Sequence, residues 1–241
     1  MLKGNSKIKY KRILLKLSGE ALEGRRDHGI DFEYLKKLAK EIAEVKALGV
    51  EIVMVIGGGN FWRFRDFQDS AIERTNSDYL GMMATIMNSV AMQNCFEKLN
   101  VKSKAFSALD FPVVLENYYR RTAVEELMSG AIVICAGGTG NPYCTTDSAA
   151  ALRAAELNCD IILKATNVDF VYDKDPHKNK DAKAYKKVTY LEVLEKRLQV
   201  MDLSAVGMSQ DVGIPILVFN LNKSGNILRA VQGKEVGTLI Y

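Results

Sequence analysis

The chain has 241 residues, enough for one large domain or two small lobes with a substantial core. With 48% hydrophobic and 26% charged residues it has the composition of an ordinary globular protein, which excludes a disordered or fibrous chain. A net charge of +4 is too mild to argue for nucleic acid and suits small anionic molecules, and no apolar run approaches the roughly 20 residues of a membrane span.

Met1 to Arg12 is polar and basic and leads straight into a strand, so no signal peptide is expected. Tyr10–Leu17 reads as that strand, ending at Ser18-Gly19-Glu20. Lys16, at the carboxyl end of the strand, either reaches a phosphate lying on the backbone or is a surface lysine before a turn. The Walker pattern G-x-x-x-x-G-K-[ST] is absent. Gly24 to Gly29 is a polar turn, and Asp31 is placed to cap a helix. Phe32, Leu35, Leu38, Ala39, Ile42 and Val45 follow at helical spacing and should face the core, with an end near Gly49.

Val50–Ile56 is a second, nearly all-apolar strand running into Gly57-Gly58-Gly59-Asn60. Three glycines after a buried strand signal close backbone approach to something. Arg63, and Arg65 as a second candidate, offer a guanidinium fork that fits phosphate oxygens. The alternative makes Arg63 a surface residue beside a packing cluster of Phe61, Trp62, Phe64 and Phe67. Ser77-Asp78 is expected to open a helix reaching about Lys98, in which Met83 and Met87 are core filler among Tyr79, Leu80, Ile86, Val90, Ala91 and Asn94. Asp78 is either a plain cap or a ligand for sugar hydroxyls. Lys102–Ala108 is a third strand, Leu109 to Tyr119 is irregular, and Thr122–Met128 is a short helix.

Ala131–Cys135 is a short, buried strand, and Ala149–Glu156 reads as helix. Between them lies Ala136-Gly137-Gly138-Thr139-Gly140-Asn141-Pro142-Tyr143-Cys144-Thr145-Thr146-Asp147-Ser148. Glycines let the backbone approach a ligand closely, and the unpaired amides of a helix start carry partial positive charge. A phosphate fits there. The alternative is a long strand-to-helix turn with Thr146 or Asp147 as the cap.

Asp160–Lys164 is the next strand, and residues 165–176 look like a turn and short hairpin at the sheet edge. Lys174 to Lys187 holds six lysines diluted by acids, the pattern of a solvated loop. Thr189 should cap Tyr190–Lys196 and Asp202 should open Leu203–Asp211. Ile214–Phe219, Ser224–Val231 and Gly237–Ile240 complete a strand, a helix and a last strand. The alternation predicts an α/β fold: a three-layer sandwich with a central, mostly parallel sheet and helices on both faces. Ligands in such folds sit beyond the carboxyl ends of the strands, where Lys16, Gly57–Gly59 and Gly137–Asp147 all fall. The cysteines Cys95, Cys135, Cys144 and Cys159 include no C-x-x-C, so reduced thiols in a cytoplasmic protein are expected, with neither disulfides nor zinc.

Taken together these residues resemble the amino acid kinase superfamily and, within it, the bacterial-type UMP kinases. The motifs that carry the likeness are Lys16-Leu17-Ser18-Gly19-Glu20, Gly57-Gly58-Gly59-Asn60 with Arg63, Asp78 with Gly81-Met82, Gly138-Thr139-Gly140-Asn141-Pro142 with Thr145-Thr146-Asp147, Lys164-Ala165-Thr166, Val168-Asp169, Tyr172-Asp173-Lys174-Asp175-Pro176, and Met201-Asp202. The T-G-N-P…T-T-D block belongs to the UMP kinase branch; the others mainly mark the superfamily.

The resemblance implies transfer of a phosphoryl group from Mg-ATP to UMP, giving UDP and ADP in pyrimidine nucleotide biosynthesis. It implies one domain, with an approximate UMP lobe over 1–160 and an ATP lobe over 161–241. It assigns Lys16, Leu17, Ser18, Gly19, Gly59, Arg63, Thr166, Tyr172 and Asp175 to ATP. It assigns Gly58, Asp78, Thr139, Gly140, Asn141, Pro142, Tyr143, Cys144, Thr145 and Thr146 to UMP. It further implies a homohexamer that answers to GTP and UTP, the GTP response being tied in part to Gly24–Gly29, and no nucleic-acid or membrane partner. Phe64 and Phe170 depart from glycines common in the family and would reshape the rim of the ATP site. The same fold also serves nucleotide-binding storage proteins and kinases of carboxylates, which remain alternatives.

The catalytic candidates are Lys16, Arg63, Asp147 and Asp202. Two polyanions must meet head to head, so positioning and charge stabilisation carry the reaction. Lys16 and Arg63 would supply cations. Asp147 would orient Lys16 or a metal-bound water; Asp202 would do likewise or simply cap its helix. Lys164 either faces the transferring phosphate or finishes a strand. A phosphate monoester, with a second pKa of about 6, is already mostly a dianion at neutral pH, so no general base is required. His28 and His177 lie in polar loops and are taken as incidental. Magnesium would be held by nucleotide phosphates and water, with no dedicated protein ligands.

Overall fold

A computed structural model describes residues 7–63, 72–174, 176, 178, 179, 181–198 and 200–241. Arg65, Phe64, Phe67, Asp175 and His177, all singled out above, lie outside the described residues.

The chain runs β1 (Arg12–Leu17), a 3₁₀ turn (Gly19–Leu22), α1 (Phe32–Lys46), β2 (Glu51–Ile56), α2 (Arg74–Lys98), β3 (Ser103–Ser107), β4 (Glu116–Asn117), α3 (Arg120–Met128), β5 (Ile132–Ala136), α4 (Thr146–Glu156) and β6 (Ile161–Thr166). It continues through β7 (Val171–Tyr172), β8 (Ala184–Tyr185), β9 (Lys187–Val188), α5 (Tyr190–Glu195), α6 (Leu203–Val212), β10 (Ile216–Asn220), α7 (Asn226–Val231) and β11 (Gly237–Ile240). Among the described residues one sheet has the strand order β4-β3-β5-β2-β1-β6-β10-β11-β9. Its pairs are parallel except β10 with β11.

Alternation of side chains along the strands divides the core in two. Ile13, Leu15 and Leu17 of β1 face one apolar cluster with residues of α1, α2 and α7. Leu14 faces the other, with residues of α3, α4, α5 and α6. The central strands are apolar toward both sides because both sides are covered. This is the three-layer α/β sandwich the alternation predicts.

Several local expectations hold. Asp31 caps α1 by accepting the Glu33 and Tyr34 amides, Thr189 and Glu192 form a capping box on α5, and Asp202 caps α6. Cys95, Cys135 and Cys159 are buried and Cys144 is exposed. Others are corrected. Helix α2 begins at Arg74, a turn before Ser77-Asp78; its N-cap Glu73 makes no side-chain bond, so no cap signal marked the start. Met83, Met87 and Val90 are exposed rather than core filler, because only one side of α2 meets the sheet, where Met82, Ile86 and Met92 are buried. Phe32 is likewise exposed at the first turn of α1. The expected edge hairpin is not part of the main sheet: β7 pairs antiparallel with β8 across the lysine-rich segment, as a separate two-stranded sheet. Thr145, and neither Thr146 nor Asp147, caps α4.

Candidate functional site

Period-2 alternation puts Lys16 on the same face of β1 as Leu14, toward α4, while its neighbours Leu15 and Leu17 face α1 and α2. Lys164 occupies the matching place on β6, and the register sets Lys16 directly beside Lys164 on the parallel pair. Two ammonium groups so placed would repel. Asp147, in the first turn of α4, reaches down between them: its Oδ1 lies 2.7 Å from Lys16 Nζ and its Oδ2 accepts from Lys164 Nζ at 2.6 Å. Lys164 Nζ also donates to the Val200 carbonyl. Lys16 is 7% exposed, so this is a largely buried lysine–aspartate–lysine cluster.

Burial alone would push the Asp147 carboxyl up, but the charges of Lys16 and Lys164 outweigh it and hold its pKa below the usual carboxylate range. Burial, helped by the nearness of Lys16, draws the Lys164 ammonium below the usual lysine value against the pull of Asp147. Asp147 is thus an anion set between two cations on neighbouring strands. The pairing with Lys164 was missed. The available signal was parity: Lys16 and Lys164 stand on one face of neighbouring strands.

The cleft above Lys16 and Lys164 has a volume of about 470 Å³ and is also bordered by Ser18, Glu20, Glu23 and Thr166. Thr166 borders a second cleft of about 490 Å³, which Tyr172 and Phe170 help to line. Gly19 sits where the β1 and β2 turns cross; a Cβ there would lie 2.5 Å from Gly59 N and 2.7 Å from Gly57 O. Ser18 caps the turn after β1 by accepting the Ala21 amide. Leu17 is in the core and can offer only its backbone. Arg63 does not border the cleft: its Nε donates to Gly59 O at 2.7 Å, and its Nη2 lies 3.0 Å from Glu20 and 3.6 Å from Glu23. Its charge is therefore directed at two carboxylates here.

The glycine-rich loop begins where β5 ends. Gly137, Gly138 and Gly140 have φ of 76°, 61° and 82°, the left-handed region that side chains disfavour. Thr139 Oγ1 accepts the Asn141 amide, and Pro142 leads to Tyr143, whose φ of 65° is costly for an aromatic residue. That conformation is held by Asp78, which accepts the Tyr143 amide at 2.8 Å. Both Asp78 oxygens also accept Arg74 Nε at 2.9 Å, so the carboxylate is occupied by protein groups. Thr145 accepts the Asp147 and Ser148 amides and donates to Asp202. Cys144 is exposed. Thr146 and Gly57 stand close, at 3.5 Å from a Cβ built on the glycine.

Asp202 accepts the Ala205 amide at 2.8 Å and hydroxyls of Ser204 and Ser148, besides Thr145. Burial opposes its ionisation, and these donors together hold its pKa low. It makes no ion pair with Lys16; it joins the starts of α4 and α6. Lys16 and the Thr139–Thr146 segment, which the phosphoryl-transfer reading needs in one place, thus meet at Asp147.

A signature of the amino acid kinase family matches residues 11–220. The chain belongs to that family. Within it, the chain is 48% identical to the uridylate kinase of Rickettsia rickettsii (strain Sheila Smith), covering 97% of this chain and 94% of that one. It is 48% identical to the uridylate kinase of Coxiella burnetii (strain RSA 493 / Nine Mile phase I), at 96% and 95% coverage. The crystal structure of UMP kinase from Bacillus anthracis superposes with a TM-score of 0.93 at 39% identity, covering 96% of each chain.

Proposed function

We propose that this chain transfers the γ-phosphoryl group of ATP to UMP, giving UDP and ADP, as a step of pyrimidine nucleotide biosynthesis. The observation that carries the reading is the Lys16–Asp147–Lys164 cluster, which forms the floor of a cleft and is joined through one helical turn to the glycine-rich loop. Two cations held 2.6–2.7 Å from one carboxylate can turn their remaining donors toward phosphate oxygens and offset the repulsion between two nucleotides. The acceptor phosphate arrives ionised, so the residues need only bind, align and exclude water.

The β2 turn, helix α2 and the loop after β5 would hold UMP within residues 1–160, through Gly58, Asp78 and Thr139–Thr146. The region 161–241 would hold ATP through Thr166, Tyr172 and Asp175, together with Lys16–Gly19, Gly59 and Arg63 from the first lobe. For Arg63 this requires a swing away from Glu20 and Glu23, and for Asp78 release from Arg74. Magnesium accompanies the nucleotide and supplies charge neutralisation at the phosphates. Both Asp147 oxygens face ammonium groups, so this reading leaves the ion to phosphate and water.

The likeness to UMP kinases also supports a homohexamer with GTP and UTP as effectors, working in the cytoplasm. The exposed stripe Tyr79, Met83, Met87 and Val90 on the outer face of α2 gives self-association an apolar surface. Among the described residues no helix is long and apolar enough to cross a membrane.

A coupled ADP-release assay over UMP, CMP, AMP, acetylglutamate and carbamate, repeated with GTP and UTP added, tests the assignment. Turnover is expected with UMP far above the other acceptors. Activity confined to a carboxylate or to carbamate would overturn it, and tight ATP binding without turnover on any acceptor would point to a storage role.

A further inference from the structure

Helix α2 does more than cover the sheet. Asp78, Thr85 and Asn88 are seven and then three residues apart, which at 3.6 residues per turn confines them to a sector of about 80°. Each bonds the backbone of a glycine-rich turn or its extension. Asp78 takes the Tyr143 amide; Thr85 Oγ1 accepts the Gly137 amide at 2.8 Å; Asn88 Nδ2 donates to the Gly57 carbonyl at 2.7 Å. Thr85 and Asn88 are 2% and 0% exposed.

The two inner bonds are tightly specified. Thr85 spends its hydrogen on the Met82 carbonyl, at 2.7 Å, which turns its lone pairs outward to Gly137. Gly137 has little freedom otherwise: its φ is 76°, and a Cβ on it would lie 3.0 Å from Ala108 N and 3.1 Å from Leu109 N. Its amide is the point where the chain leaves β5 and becomes the acceptor loop. Asn88 fixes the helix itself, through a reciprocal amide pair with buried Asn60 at 2.7 and 2.9 Å, and Asn60 also donates to the Gly29 carbonyl. Helix α2 is thus locked to the β2 turn at Asn88 and reaches the loop after β5 from Thr85, one turn away.

We propose that Thr85 is a positioning residue for the acceptor: its hydroxyl sets where the Gly137–Thr146 loop stands relative to the β2 turn and Lys16. The inference rests on the UMP reading for the identity of the acceptor. Thr85 borders neither of the clefts described above and makes no bond to the charged cluster.

The test compares Thr85→Val, which keeps the shape and loses the acceptor oxygen, with Thr85→Ser, which keeps the oxygen and loses a methyl. Thr85→Ala replaces the valine variant if the latter does not fold. KM for UMP should rise about tenfold or more in Thr85→Val with KM for ATP within about twofold of wild type, and Thr85→Ser should restore the UMP value. Hydrogen exchange at the Gly137 amide should quicken in Thr85→Val and stay slow in Thr85→Ser, whatever the acceptor. A UMP KM unchanged in the valine variant, equal rises for both substrates, or a serine variant as impaired as the valine one would overturn the proposal. If wild type fails to use UMP, the function assigned above fails; the Gly137 exchange rates still decide the role of Thr85, and unchanged protection in Thr85→Val would overturn it.

Discussion

Two glycine turns, Gly57–Gly59 and Gly137–Gly140, look alike in the sequence and differ in why they need glycine. In the first, none of the three residues has positive φ. Glycine is required there by neighbours: a Cβ on Gly58 would lie 2.6 Å from the Gly81 carbonyl and 2.8 Å from Ala84 Cβ, and one on Gly57 would lie 3.0 Å from Gly19 N. In the second turn, Gly137, Gly138 and Gly140 all have positive φ, and around Gly138 the space is open, with Met82 Cγ at 3.8 Å the nearest atom. The first turn is short of room alone; the second is short of allowed backbone conformations and, at Gly137 and Gly140, where a Cβ would lie 3.0 Å from Ala108, of room as well. A glycine run therefore signals close approach, and the partner the structure shows at Gly58 is a helix of the same chain.

The largest stability effect is expected just past the second turn, at Asp147. Asp147→Asn leaves two buried ammonium groups without their counter-ion, and breaking a buried pair from one side costs about 3–5 kcal/mol. The pH dependence has a definite sign. The folded carboxyl has a lowered pKa, so its stabilisation is fully present above the ordinary carboxyl value of about 4 and is lost as pH falls through the folded value. Denaturant midpoints of wild type and Asp147→Asn should accordingly converge below about pH 4; a gap that stayed constant into acid would show that the ion pairs contribute nothing. Next comes Gly58→Ala, which must push α2 from the β2 turn at about 1–3 kcal/mol, or several degrees of melting temperature. Smallest is Gly138→Ala, at about 1–2 kcal/mol for a left-handed side chain with space to occupy. Equal melting losses at Gly58 and Gly138 accompanied by equal losses of UMP affinity would erase the distinction between the turns; the account expects Gly138→Ala to weaken UMP affinity out of proportion to its stability cost.

The fold was legible because the strands are apolar on both faces and each is followed by a helix or a glycine turn. The candidate site was legible in part: Lys16, the two glycine runs and Asp147 lie at or just past strand ends, as the alternation predicts. What the sequence hid was mostly a matter of partners. For Lys164 the sequence leaves open a phosphate-facing lysine or a strand end, because its meeting with Asp147 depends on the β1–β6 register. For Arg63 the sequence offers a phosphate fork or a surface residue, because nothing local announces Glu20 and Glu23 as its partners. Thr85 and Asn88 carry no motif; inside a helix, a buried threonine or asparagine shows its purpose only when the loops it bonds are in view. Met83 and Met87 misled because apolar composition does not say which side of α2 meets the sheet.

The central claim is that Asp147 holds Lys16 and Lys164 ready for a phosphoryl group passing between two nucleotides. Steady-state kinetics of Asp147→Asn with UMP and ATP, at neutral pH and on folded protein, tests it most directly. The account predicts a kcat lowered by at least about 100-fold with KM for ATP changed only a fewfold, the signature of an interaction that matters in the transition state. A kcat within about threefold of wild type, or parallel losses in kcat and ATP binding, would contradict it.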